Sequence, residues 1–207
     1  MSDFKYFSYG EFVASATAKE HGIDNRIPNI TVKTNINCLV NEILDPLREL
    51  VGMPIYVTSG YRCKELNRLV KGEKYSQHLT GEAADITTND KYGNMVMVIE
   101  LLCGRWLSEV RLDVPMLYDD MVEFFDFDQL IIYRMTRDKT NFAWLHVSHK
   151  CKGKNRREVK FCDGVKKEKI ILDIEAQNRL VTDLAEQVTL HDNTLKEKYK
   201  PSKIHLQ

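Results

Sequence analysis

Apolar residues recur along this chain with two distinct periods. Between residues 35 and 50, Ile36, Leu39, Val40, Ile43, Leu44, Leu47 and Leu50 follow the i, i+3, i+4, i+7 rule of an amphipathic helix. Pro46 lies inside this run and predicts a kink or interruption, because its ring removes a donor and clashes with the preceding turn. Residues 9–21, YGEFVASATAKEH, read as a shorter helix ended by Gly22. Another helix is expected at 63–70. A further amphipathic one is expected at 94–109, with Met95, Val98, Ile99, Leu102 and Trp106 on one face. The weaker pattern at 173–190 predicts a last helix, followed by a loose polar tail.

The second period is that of strands. PIYVTSG (54–60) and ADITT (84–88) read as short strands. DQLIIYRM (128–135) and FAWLHVSHK (142–150) read as two more, joined as a hairpin by the polar TRDKTN. REVKFCDGVKKEKIIL (157–172) predicts another hairpin, turning at Asp163-Gly164. Helices come first and antiparallel strands later, so the expected class is α+β, a small antiparallel sheet with flanking helices. The expected organisation is a main domain over residues 1–160 and a C-terminal hairpin and helical extension over 161–207.

Composition narrows the setting. The chain has 207 residues, 43% apolar and 29% charged, which is ordinary globular usage. Formal net charge is zero, so nucleic acid is not an expected partner. The charge is uneven: residues 149–169 carry nine Lys/Arg against three acids, and 113–128 carry six acids and no base. These stretches read as solvated faces, the basic one also as a candidate contact surface. Five cysteines, an odd number without a C-x-x-C pair, predict free thiols in a reducing compartment. No basic n-region followed by an apolar run opens the chain, and no stretch approaches the ~18 apolar residues of a membrane span. Synthesis and retention in a cytoplasm without a signal peptide, and no membrane association, are therefore expected.

The stretch SQHLTGEAAD places His78 and Asp85, two donors suited to zinc, at either end of a small-sided turn. Gly81 permits a tight bend there. A catalytic zinc usually has three protein ligands, and WLHVS offers His146 as a third, on the strand face shared by Phe142, Trp144 and Ser148. A histidine in an apolar strand is also commonly a hydrogen-bonded core residue, so spacing alone leaves both readings open. His149 falls on the opposite strand face, and His21, His191 and His205 read as surface residues without partners.

Taken together, VTSGYR, LN, SQHLTGEAADI, FDQLI and WLHVS, in this order, resemble the zinc D-alanyl-D-alanine carboxypeptidase and endopeptidase family, whose fold is shared with the signalling domain of hedgehog proteins. The resemblance covers residues 4–160 and is to the short members found in phages and prophages. It implies Zn2+ held by His78, Asp85 and His146. It implies Arg62 at the place that binds a substrate carboxylate, and Ser76 as a residue that binds or orients the peptide. The implied substrate is the peptidoglycan stem peptide, reached at the cell wall or from within a virion.

The family pattern breaks at the general base. The glutamate that follows D-Q-L-I in relatives is Tyr133 here, and the acid placed three residues before the last zinc histidine in other branches is Ala143. Tyr133 and Asp128 are the candidate catalytic residues that remain, but they point to opposite faces of a regular strand. Two functions follow as alternatives. One is a zinc-dependent peptidase of bacterial wall stem peptides. The other is a non-catalytic virion structural or binding protein that retains the peptidase fold and contacts other virion proteins.

Overall fold

In the computed structural model, which describes residues 4–103, 125–134, 142–163 and 169–191, the helix expected at 9–21 is two short ones. α1 (Tyr9–Val13) stops at Ala14, whose backbone is extended, and Ser15 starts α2 (Ala16–Glu20) by accepting from the Ala18 N–H. The long apolar run is continuous but built in three pieces: α3 (Ile30–Leu39), capped by Asn29, a π-helical turn (Val40–Leu44), and α4 (Asp45–Val51). Pro46 sits in the first turn of α4, and the Asp45 N–H reaches back to the Val40 carbonyl. The interruption expected at Pro46 thus takes the form of a wide turn upstream, which relieves the clash with the preceding carbonyls.

Next along the chain come β1 (Tyr56–Ser59), α5 (Lys64–Leu69), a 3-10 turn (Gln77–Thr80), β2 (Ala83–Thr87) and α6 (Lys91–Cys103). After them come β3 (Gln129–Arg134), β4 (Phe142–Ser148), β5 (Glu158–Asp163), β6 (Lys169–Ile171) and α7 (Ile174–His191). The strands form one sheet in the order β1-β2-β4-β3-β5-β6. The fold is the expected α+β arrangement of a sheet with flanking helices. Every junction is antiparallel except β3/β5, which is parallel. The parallel pair arises because the chain leaves β4 and enters β5 at the same end of β3, with Ser148 and Glu158 both paired to Gln129.

The two faces of the sheet differ in chemistry. Ala84, Ile86, Leu130, Ile132, Leu145 and Val147 are fully buried and join the core with α3, α4 and α6. α6 is buried along almost its whole length, the pattern of a central helix rather than a surface one. The other face carries Asp85, Tyr133, Trp144 and His146, because side chains alternate along each strand.

The expected boundary between residues 160 and 161 falls within β5. α7 buries Val181, Leu184, Ala185 and Val188 in the same core, and His191, expected to lack a partner, stacks on Tyr92 with ring centroids 3.6 Å apart. Residues 104–109 of the expected helix, the 136–141 turn, Gly164 and the tail lie outside the described residues. No helix among the described residues is long and apolar enough to cross a membrane.

The cysteines correct the expectation of five free thiols. Cys38 and Cys151 form a disulfide, while Cys63 and Cys103 are free thiols. The two partners are 113 residues apart, so only tertiary packing of α3 beside the segment after β4 could reveal the pair. That segment, 149–157, crosses the end of β3 and is held there by Asp128. The Asp128 carboxylate is fully buried and accepts from the Arg156 backbone N–H and guanidinium, from Lys150 Nζ at 2.7 Å and from Gln77 Nε2 at 3.1 Å. The basic stretch is therefore partly internal structure, and among its described lysines Lys152, Lys154 and Lys169 are exposed.

Burial raises the Asp128 pKa, but the hydrogen bonds from Arg156 and Lys150 outweigh it and bring the carboxyl to about 2. Against an unfolded value of ~3.9, a group lowered in this way contributes roughly 2–3 kcal/mol above pH ~4, and loses it as pH falls towards 2. Urea unfolding of wild type and Asp128→Asn should therefore differ by roughly that amount at pH 7, with the gap closing between about pH 4 and pH 2. A gap that stays constant with pH would contradict this placement of the charge.

Candidate metal centre

The site begins at the edge of the sheet. Cys63 caps α5, and the loop after α5 returns to the 3-10 turn, whose first turn Ser76 caps by accepting from the His78 N–H at 3.4 Å. Gly81 ends the turn at φ +75°, and a Cβ there would lie 2.9 Å from the Val32 carbonyl, so both conformation and space call for glycine. The Arg62 N–H donates to the His78 carbonyl at 3.0 Å, and Asn35 Nδ2 donates to the Thr80 carbonyl at 2.9 Å. The turn is thus pinned to β1's exit and to α3.

His78 is buried, with Nδ1 2.6 Å from the Gly60 carbonyl. A carbonyl can only accept, so Nδ1 carries the proton and Nε2 is left with its lone pair. Gly60 holds its own place by lacking a side chain: a Cβ would lie 2.6 Å from Phe12 Cα and carbonyl oxygen. Asp85 on β2 pairs directly with His146 on β4.

Three donor atoms then meet. His146 Nδ1 lies 2.9 Å from Asp85 Oδ1, His78 Nε2 lies 3.3 Å from the same oxygen, and the two ring nitrogens are 3.2 Å apart. For ligand distances of ~2.0–2.1 Å, the edge of a tetrahedron is ~3.3 Å, so the triangle has close to the size that zinc requires. Two imidazoles and a carboxylate are also donor types that zinc takes. Among the described residues, this is the group of histidine, cysteine and acidic side chains that could hold a metal ion.

Electrostatics agree with that use. Burial would raise the Asp85 pKa, but the neighbouring His78 and His146 rings hold it well below the usual carboxylate range. Burial lowers the His146 pKa, favouring a neutral ring with a lone pair. The second oxygen, Asp85 Oδ2, accepts from Arg62 Nη2 at 2.6 Å, while Arg62 Nε donates to Ser59 Oγ at 2.8 Å.

Of the residues expected from sequence, the structure brings together His78, Asp85, His146 and Arg62, with Ser76 at the start of the His78 turn. Tyr133 shares the face of His146 and stacks on Trp144 at 4.8 Å between centroids. Its hydroxyl is pushed up to about 12, first by burial and then by the Asp85 charge, which makes it a poor base at neutral pH. Asp128 is not in this group. Its oxygens are taken by Arg156, Lys150 and Gln77 at the end of β3. His149 is likewise apart, with Nδ1 2.6 Å from the Asp126 carbonyl. Sequence reading did not single out the Gly60 carbonyl or the Gln77 amide. A backbone acceptor leaves no side-chain signal, although Gly60 stands inside the SGYR string.

Residues 5–102 match a family model described as Peptidase M15, and no curated protein matches the chain. The matched stretch contains His78, Asp85 and Arg62, while His146 lies beyond it and is joined to them by the β2/β4 pairing. Over residues 5–102, just under half of its length, the chain is similar to the peptidase M15 family, whose members are zinc peptidases.

Proposed function

We propose that the protein is a zinc-dependent peptidase of peptidoglycan stem peptides, cutting at or near D-alanyl residues, and that it is phage-encoded and acts at the wall or from a virion. The observation that carries this reading is the triangle of His78 Nε2, Asp85 Oδ1 and His146 Nδ1 on a sheet face opposite the core. These three side chains would hold the ion. Zinc bound there supplies Lewis acidity towards a scissile carbonyl and towards water. The Gly60 carbonyl fixes the His78 tautomer, and Arg62 orients the Asp85 carboxylate. Two edges of the Arg62 guanidinium are committed, Nε to Ser59 and Nη2 to Asp85. Its Nη1 edge is the part that would meet a substrate carboxylate through a charge-assisted hydrogen bond. The Ser76 hydroxyl accepts from His78 N–H and retains its own proton to offer a peptide carbonyl.

The second reading, a non-catalytic virion component, is favoured by one observation. On the site face, β3 and β4 present Gln129, Ile131, Tyr133, Trp144, His146 and Ser148, with no carboxylate among them. Neither Tyr133 nor the caged Asp128 has the acid–base character of a general base.

Two experiments test the proposal. Purified protein should contain one zinc per chain, and His146→Ala should lose stoichiometric metal, whereas a full equivalent in that variant would contradict the ligand assignment. On a stem peptide ending in D-Ala-D-Ala, Tyr133→Glu should raise turnover by up to roughly 10²–10⁴-fold, the worth of general-base assistance, without altering zinc content. A wild type that is inert beside an equally inert Tyr133→Glu would favour the non-catalytic reading.

A further inference from the structure

We propose that Gln77 and Asp128 are positioning residues for the metal centre: the buried Asp128 carboxylate holds the Gln77 side chain and thereby fixes the turn carrying His78 against the strand ends carrying His146. This rests on the reading of the triad as a metal site.

His78 belongs to no strand, so its place relative to His146 depends on what ties the 3-10 turn to the sheet. On one side the ties run to β1's exit and α3, through Arg62 and Asn35. Towards β3 and β4, the backbone bond from His149 N–H to the Glu82 carbonyl fixes the exit of the turn at 2.9 Å. The start of the turn is fixed by Gln77. Its carbonyl accepts from Glu82 N–H and Thr80 Oγ, closing the turn, and its side-chain amide donates to Asp128 Oδ2 at 3.1 Å. Asp128 in turn donates its own N–H to the Ser148 carbonyl at 2.7 Å, two residues from His146. A short path, His78–Gln77–Asp128–Ser148–His146, therefore links two of the three candidate ligands.

The chemistry of Asp128 suits an anchor. Lys150 and Arg156 both come from the 149–157 connection and bind the carboxylate without help from Gln77. The acceptor is thus held independently of the turn. An ionised carboxylate is acceptor-only, and Oδ2 serves Arg156 and Gln77 at once. An asparagine would present an N–H₂ to one of these donors. The same cage that unsuits Asp128 for moving protons makes it a fixed point.

Zinc affinity, measured by competition with a chromogenic chelator, and the d–d spectrum of the Co²⁺-substituted protein test this. Gln77→Leu keeps the side-chain bulk and the Asp128 ion pairs. It should bind zinc about tenfold more weakly, in the range found when outer partners of metal ligands are removed, and should shift the Co²⁺ bands. Asp128→Asn should show at least that loss, and the double variant no more than Asp128→Asn alone, because Gln77 acts through Asp128. A Gln77→Leu protein with zinc affinity within twofold of wild type and an unchanged Co²⁺ spectrum would overturn the proposal, as would effects of the two variants that add. If wild type itself takes up no zinc, the metal reading fails as well, and that outcome is distinct from failure of the positioning role alone.

Discussion

The antiparallel register of β2 against β4 is the constraint on which the site depends. It sets Asp85 opposite His146, with Oδ1 and Nδ1 2.9 Å apart. Side chains alternate along a strand, so a slip of one residue would send one of the pair to the other face, among Leu130, Leu145 and Val147. There an ionised carboxylate or an imidazole would be buried without partners, at a cost of several kcal/mol. The apolar residues of the core face therefore hold the polar residues of the site face in register, although they touch none of the chemistry. His78 is added from outside the sheet, and its approach depends on two glycines: Gly60, which has no room for a Cβ against Phe12, and Gly81, which turns the chain at positive φ beside Val32.

Two carboxylates, Asp85 half-buried and Asp128 fully buried, divide the electrostatic work. Asp85 has histidines on one oxygen and Arg62 on the other, so its charge is balanced while Oδ1 remains directed at the ring nitrogens. Asp128 has Lys150, Arg156 and the Gln77 amide, and all its acceptor capacity faces structural donors. Their depressed pKa values look alike but have different consequences. One carboxylate is assembled with two lone-pair donors into a site of the size of a small cation. The other holds a loop across the end of β3, and its neutralisation by acid would loosen that crossing.

Much of this was legible in the sequence, because the signals were periodic or chemical. The apolar spacing of 36–50 gave a helix, and the alternation in DQLII and WLHVS gave adjacent strands whose faces could be assigned residue by residue. The S-x-H-x-x-G-x-A-x-D and W-x-H strings named His78, Asp85 and His146, which the fold brings together from separate elements. What escaped was set by tertiary contact. Ser15 restarts a helix that periodicity alone reads as continuous, and the π-helical turn before Pro46 is a backbone adjustment with no residue signature. The Cys38–Cys151 bond joins residues 113 positions apart, beyond any spacing rule. The parallel β3/β5 pair and the packing of α7 on α6 depend on where the chain crosses the end of β3, which Asp128, Lys150 and Arg156 decide together. Asp128 read as a candidate base because it is an acid near a matching motif; only its neighbours show that its oxygens are already taken.

The central claim is that two imidazoles and one carboxylate converge on a single ion. X-ray absorption at the zinc K-edge of the purified protein tests it most directly. The geometry predicts a first shell of light atoms only, nitrogen and oxygen at ~2.0–2.2 Å, with the outer-shell scattering of two imidazole rings. A sulfur shell at ~2.3 Å would place the metal on cysteine instead, and a shell with no imidazole signature would remove His78 and His146 from the site.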